Sequence, residues 1–142
     1  MKTLVILESN RGTLHRLSKE AIVAAQNLGG EVYALAIGKD ADIIASELEN
    51  VQLKEVLTVK NEFVESYNAD GFTEIISQVI RDESPENIML GHTYQTRDFA
   101  PRLSAKLDIP FKEEQKRFIA TYYSSQYLDA VRKAAQYKST FK

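Results

Sequence analysis

Continuous apolar runs alternate along this chain with segments whose apolar residues recur every three or four positions. The first run, Lys2-Thr3-Leu4-Val5-Ile6-Leu7-Glu8, is rich in branched residues and closed by Ser9-Asn10-Arg11-Gly12. It is too short for an ordinary helix, so it predicts a buried, central strand. Over residues 14–28, Leu14, Leu17, Ala21, Ala24, Ala25 and Leu28 keep helical spacing, and Gly29-Gly30 supplies a left-handed stop. That predicts a helix of about four turns. The pattern repeats with a strand at residues 31–37, ended by Gly38, and a helix at 41–48 marked by Ile43, Ile44 and Leu48. A third strand is read at residues 55–59. The stripe Phe72, Ile75, Ile76, Val79, Ile80 then predicts a helix between Asp70 and Ser84, with Asp70 as its N-cap. A fourth strand, Asn87-Ile88-Met89-Leu90-Gly91, leads through a polar loop to a helix containing Phe99, Leu103 and Leu107, with Thr96 as its cap.

Strands alternating with helices at this spacing imply parallel strands joined by right-handed crossovers. The fold class is therefore α/β: a Rossmann-like parallel sheet with helices on both faces, in three αβα layers. Asp108-Ile109-Pro110 interrupts the alternation, and residues 111–142 form a divergent aromatic and basic tail within a single domain. In that tail residues 117–123 have strand propensity, whereas Tyr127, Leu128, Val131, Ala134 and Ala135 suit an amphipathic helix.

Composition narrows the chemistry. A chain of 142 residues buries enough surface to fold without staples, and its lack of cysteine removes thiolate nucleophiles and thiolate metal sites. Two histidines leave little for a histidine-rich metal site, and a formal charge of -2 offers no excess of cations for a run of phosphates. Apolar stretches fall well short of the roughly 18 residues of a membrane span, and the amino terminus lacks the order of a signal peptide. A cytoplasmic protein with no nucleic-acid partner and no membrane insertion is expected.

In open parallel sheets, ligands collect at the carboxyl ends of the strands, against helix amino termini. A nucleotide at those ends would meet Glu8, Ser9, Gly38, Gly91, His92, Thr93, Thr96 and Arg97. No Gly-x-Gly-x-x-Gly follows the first strand and no phosphate-loop motif occurs, so this is the secondary reading. His92 has the right location for a general base but no visible orienting partner, and His15 reads as surface. The pairs Asp40/Asp42 and Glu113/Glu114 read as solvated carboxylates, and no Gly-x-Ser-x-Gly or His-Glu-x-x-His is present. No catalytic residue and no metal site is assigned. Arginines and tyrosines supply much of the binding energy at protein interfaces, which makes Arg97, Arg102, Arg117, Tyr122, Tyr123, Tyr127 and Arg132 the candidates for a partner surface.

Several strings carry a family resemblance. Val5-Ile6-Leu7-Glu8 opens the chain, Ala24-Ala25-Gln26-Asn27-Leu28-Gly29-Gly30-Glu31-Val32 joins helix to strand, and Lys54-Glu55-Val56-Leu57 begins the third strand. The most specific is Gly91-His92-Thr93-Tyr94-Gln95-Thr96-Arg97-Asp98-Phe99-Ala100-Pro101-Arg102-Leu103, a small polar loop followed by an Arg-Asp-apolar-Ala-Pro-Arg helix. Over residues 1–110 the chain resembles the amino-terminal domain of the electron transfer flavoprotein alpha subunit, which has an adenine nucleotide alpha hydrolase-like fold. The resemblance implies an alpha–beta heterodimer that holds FAD, with the alpha subunit's flavin site in a separate carboxyl-terminal domain and the AMP-type site on the beta subunit. Nothing up to Lys142 corresponds to that flavin domain, so no cofactor is expected on this chain alone. The expected partner is a beta-like subunit or a second copy of the chain, and the expected role is structural and interfacial. Beyond Pro110 the similarity loosens; where it resumes, it favours an extended segment over residues 118–132, against the helical periodicity of residues 127–137.

Overall fold

The computed structural model describes residues 1–107 and, as backbone, residues 120–123. The elements are β1 (Lys2–Ile6), β2 (Ser9–Asn10), β3 (Thr13–Leu14), α1 (Arg16–Leu28), β4 (Glu31–Ile37), α2 (Ala41–Glu47), β5 (Glu55–Val59), α3 (Ala69–Glu83), β6 (Asn87–Gly91), α4 (Tyr94–Leu107) and β7 (Ala120–Tyr123). A single 3-10 turn, Glu62–Val64, precedes α3.

The main sheet runs β5-β4-β1-β6-β7, and its first four strands are parallel. This is the expected α/β architecture. The fifth strand departs from the all-parallel expectation, because β7 pairs antiparallel with β6, with Gly91 opposite Ala120 and Ile88 opposite Tyr123. It falls within the segment whose composition favours a strand. The helix expected at 127–137, with Arg117, Tyr127 and Arg132, lies outside the described residues.

Alternation along β1 sorts the core into two layers, since successive side chains of a strand point to opposite faces. Leu4 and Ile6 join Phe72, Ile76 and Ile80 of α3 and Phe99, Leu103 and Leu107 of α4. Val5 and Leu7 join Ala21, Ile22 and Ala25 of α1 and Ala41 and Ile44 of α2. The chain winds from β1 through β4 to β5, then returns to lay β6 on the other side of β1. Winding therefore reverses between β1 and β6, and a crevice opens at their carboxyl ends.

Three local expectations need correcting. The Ser9 to Gly12 region is a hairpin: Ser9 pairs with Leu14 and Asn10 with Thr13 around Arg11 and Gly12, which have φ of 53° and 83°. Positive φ at both central positions matches the twist of paired strands. Helix α1 consequently starts at Arg16, capped by His15, whose Nδ1 accepts from the Leu17 amide at 3.0 Å. Helix α3 is capped by Asn68, whose Oδ1 accepts from the Gly71 amide at 2.7 Å, and Asp70 instead pairs with Arg102. Thr96 does not cap α4; Thr93 does, its hydroxyl accepting from the Thr96 amide at 3.1 Å. In α3 and α4 two side chains able to cap lie two or three residues apart, and the one preceding the first helical turn serves.

Candidate functional site

The carboxyl end of β1 delivers Glu8 into the point where winding reverses. Its amide donates to Ser18 Oγ at 2.9 Å and its carbonyl accepts from the His15 amide at 2.9 Å, which ties it to the start of α1. Its carboxylate turns the other way and accepts from Thr93 Oγ1 at 2.6 Å. Thr93 has one hydroxyl proton and spends it on the carboxylate, so Thr96 Oγ1, 2.7 Å away, must donate to Thr93. The Thr93 hydroxyl thus accepts from both the amide and the hydroxyl of Thr96 while donating to Glu8. Charge-assisted bonds of this kind are the stronger sort.

Gly91 sets one wall of the crevice. A Cβ on Gly91 would lie 2.8 Å from Leu17 Cβ, so this glycine lets α1 press against the end of β6. What remains between β1 and β6 is a cavity of about 10 Å³, bordered by Glu8, Ser18, Thr93 and Thr96. Gly38 has a parallel role. With φ of 111°, it leaves space for the chain after β5, whose Val64 carbonyl would lie 3.1 Å from an added Cβ.

Between the ends of β1 and β4 lies a second cavity of about 200 Å³. Ser9 lines it, as do the carboxylate-bearing Glu8, Asp40 and Glu65, against the single cation-bearing Lys39. Tyr67 also lines it; its hydroxyl donates to Asp98 at 2.6 Å, and its ring meets Phe72 edge-on at 4.9 Å. Burial, then the hydrogen bond and negative charge of Asp98, hold the Tyr67 phenol well above the ordinary phenol range. A larger hollow of about 530 Å³ lies at the opposite end of the sheet, beside Glu31 and Lys54. It is remote from the strand carboxyl ends, and its polar groups pair with one another, Lys54 with Glu31 at 3.7 Å and the Gln26 side-chain amide with the Gln52 carbonyl at 3.0 Å.

The fold thus brings Glu8, Gly91, Thr93 and Thr96 together, with Ser9 lining the neighbouring cavity, whereas Gly38 lines neither. His92 is half-buried and borders neither cavity. Arg97 is exposed, its guanidinium 5.9 Å from the Tyr94 ring, and Arg102 reaches Asp70 at 3.1 Å. Tyr122 and Tyr123 lie in β7. Sequence reasoning missed Ser18, Tyr67 and Asp98. Their hydrogen bonds bridge 10 residues from Ser18 to Glu8 and 31 from Tyr67 to Asp98, and no local pattern marks either. Among the described residues no group of acidic or histidine side chains is arranged to hold a metal ion, and no helix is long and apolar enough to cross a membrane.

Comparison with known proteins gives the family. The model of the electron transfer flavoprotein domain matches residues 3–113. This chain belongs to the electron transfer flavoprotein family. It is 34% identical over 108 residues to the electron transfer flavoprotein subunit alpha of Bacillus subtilis, covering 75% of this chain and 33% of that protein. The alpha subunit of Syntrophomonas wolfei is 27% identical over 107 residues, covering 75% of this chain and 34% of its own length. The acryloyl-CoA reductase electron transfer subunit beta of Anaerotignum propionicum is 27% identical over 107 residues, covering 72% of this chain and 29% of its own. The chain spans about a third of the length of these curated relatives.

Proposed function

We propose that this chain is a non-catalytic association domain of an electron transfer flavoprotein complex, equivalent to the amino-terminal part of the alpha subunit. Its partner is a beta-like subunit, FAD belongs to the complex, and electron carriage rather than bond chemistry is the activity it serves. The observation that carries this reading is the state of the β1–β6 crevice, where a ligand of this fold class would lie. Glu8, Thr93 and Thr96 satisfy one another there and leave about 10 Å³. Small-molecule sites commonly offer about 300 Å³ or more. The adjoining 200 Å³ cavity falls below that range, and its surplus of carboxylates opposes an anionic nucleotide.

Co-expression of the tagged chain with the beta subunit from the same source tests the reading, with mass measured by light scattering after size exclusion. A one-to-one complex is the expected result. A chain that stays apart from the beta subunit while carrying an adenine nucleotide would favour the secondary reading, a stand-alone nucleotide-binding protein of the same fold.

A further inference from the structure

We propose that Glu8 is a built-in anion: its carboxylate takes the place and charge that a bound phosphate would take at the winding reversal, and so keeps anionic ligands out of this crevice. The inference deepens the scaffold reading and rests on it. Three observations converge on this one side chain. Glu8 stands two residues past the end of the central strand, at the point where open α/β sheets bind ligands. Its carboxylate accepts from Thr93 Oγ1, which in turn accepts from the Thr96 amide, so the negative charge is coupled to the positive end of the α4 dipole as an anion would be. Its backbone is fixed on both sides, the amide by Ser18 and the carbonyl by His15, so the side chain leaves from a set point beside Thr93.

Geometry at the opposite wall agrees. Leu17 closes on Gly91 so tightly that a Cβ there would sit 2.8 Å away, and the crevice holds no room for a phosphate alongside the carboxylate. The arrangement also joins the two helical layers, because Glu8 bonds to residues around the start of α1 on one face and to the cap of α4 on the other. Glu8 is in this sense a positioning residue, with charge as well as shape as its means.

The test uses the full 142-residue chain and the variant Glu8→Ala. Thermal melts are recorded for both in sodium chloride, sodium formate and sodium phosphate at equal ionic strength. In chloride the variant is expected to melt about 5 °C below the parent chain. Formate and phosphate are expected to halve that difference by entering the vacated place. General effects of each salt cancel in the difference between the two proteins. A difference that is the same in all three anions overturns the proposal, because a purely structural role has no preference for anions. Saturable binding of phosphate or AMP to the parent chain, measured by calorimetry, overturns it as well.

Should Glu8→Ala fail to fold, Glu8→Gln replaces it. The amide keeps an oxygen for Thr93 and loses only the charge, so its smaller melting loss should shrink as sodium chloride is raised to about 1 M, where screening acts over about 3 Å. A loss that does not respond to salt overturns the proposal. Failure of the scaffold reading is separable: a chain that does not bind the beta subunit yet shows anion rescue loses its proposed partner and keeps its built-in anion.

Discussion

The two helical layers of this domain pack by different means. On the α3–α4 side the sheet meets Phe72, Ile76, Ile80, Phe99, Leu103 and Leu107, large side chains that fill the space between layers. An outer seam adds three polar pairs, each about a turn apart: Tyr67 with Asp98 at 2.6 Å, Asp70 with Arg102 at 3.1 Å and Glu74 with Lys106 at 2.8 Å. On the α1–α2 side Ala21, Ala25, Ala34, Ala36 and Ala41 let the helices approach closely, and Gly91 admits Leu17. Volume dominates one layer and proximity the other. The β1–β6 crevice takes its walls from both layers, Ser18 of α1 on one side and Phe72 and Phe99 on the other.

Five substitutions break this comparison, in falling order of effect. Phe99 is 2% exposed between α4 and the sheet. Phe99→Ala should lose about 3–5 kcal/mol through lost burial and a residual cavity, read from urea midpoints at constant slope. Gly91→Ala tests the opposite failure, overpacking. It should lose about 1–3 kcal/mol, while the same change at Gly12, where an added Cβ meets nothing within 4 Å, carries only the strain of its positive φ. Thr93→Val keeps the shape but removes the cap of α4 and the donor to Glu8. About 1–2 kcal/mol should go, with hydrogen exchange quickened in the first turn of α4.

The seam should respond least. The Glu74 carboxylate is held below its ordinary range by its hydrogen bond to Lys106 and by that cation's charge. A lowered folded-state value means a contribution present above the unfolded carboxylate range and lost as pH falls through the folded value. Lys106→Ala should therefore leave the urea midpoint at pH 7 nearly unchanged, since exposed pairs contribute little, and should flatten the acid side of the stability profile. Tyr67 has the opposite sign. Its raised phenol value gives a contribution present below the ordinary phenol range and lost as pH rises through the folded value. Alkaline absorbance titration of Tyr67→Phe should lack one tyrosine that ionises above the usual range.

Much of this architecture is legible in the chain itself. The strands at 31–37, 55–59 and 87–91 and the apolar stripe of α3 follow directly from periodicity, because each element buries a face whose repeat is set by backbone geometry. The hairpin at Ser9 to Leu14 is not legible in the same way. Its strands are two residues long, too short to show alternation. His15 as a cap is likewise unmarked, since histidine is not among the residues favoured there. Glu8, Thr93 and Thr96 stand among the sequence-derived candidates for nucleotide binding, but their mutual bonds depend on bringing together side chains 85 residues apart. Residue type marks the place in the fold; only the folded distances tell that these groups are already engaged with one another.

The central claim is that this domain acts by association and carries no ligand of its own at the strand ends. An absorbance scan of the purified chain from the ultraviolet through the flavin region, followed by heat release and mass analysis of any small molecule, tests it most directly. The account predicts a colourless protein that releases nothing; flavin or adenine nucleotide released at near one per chain would contradict it.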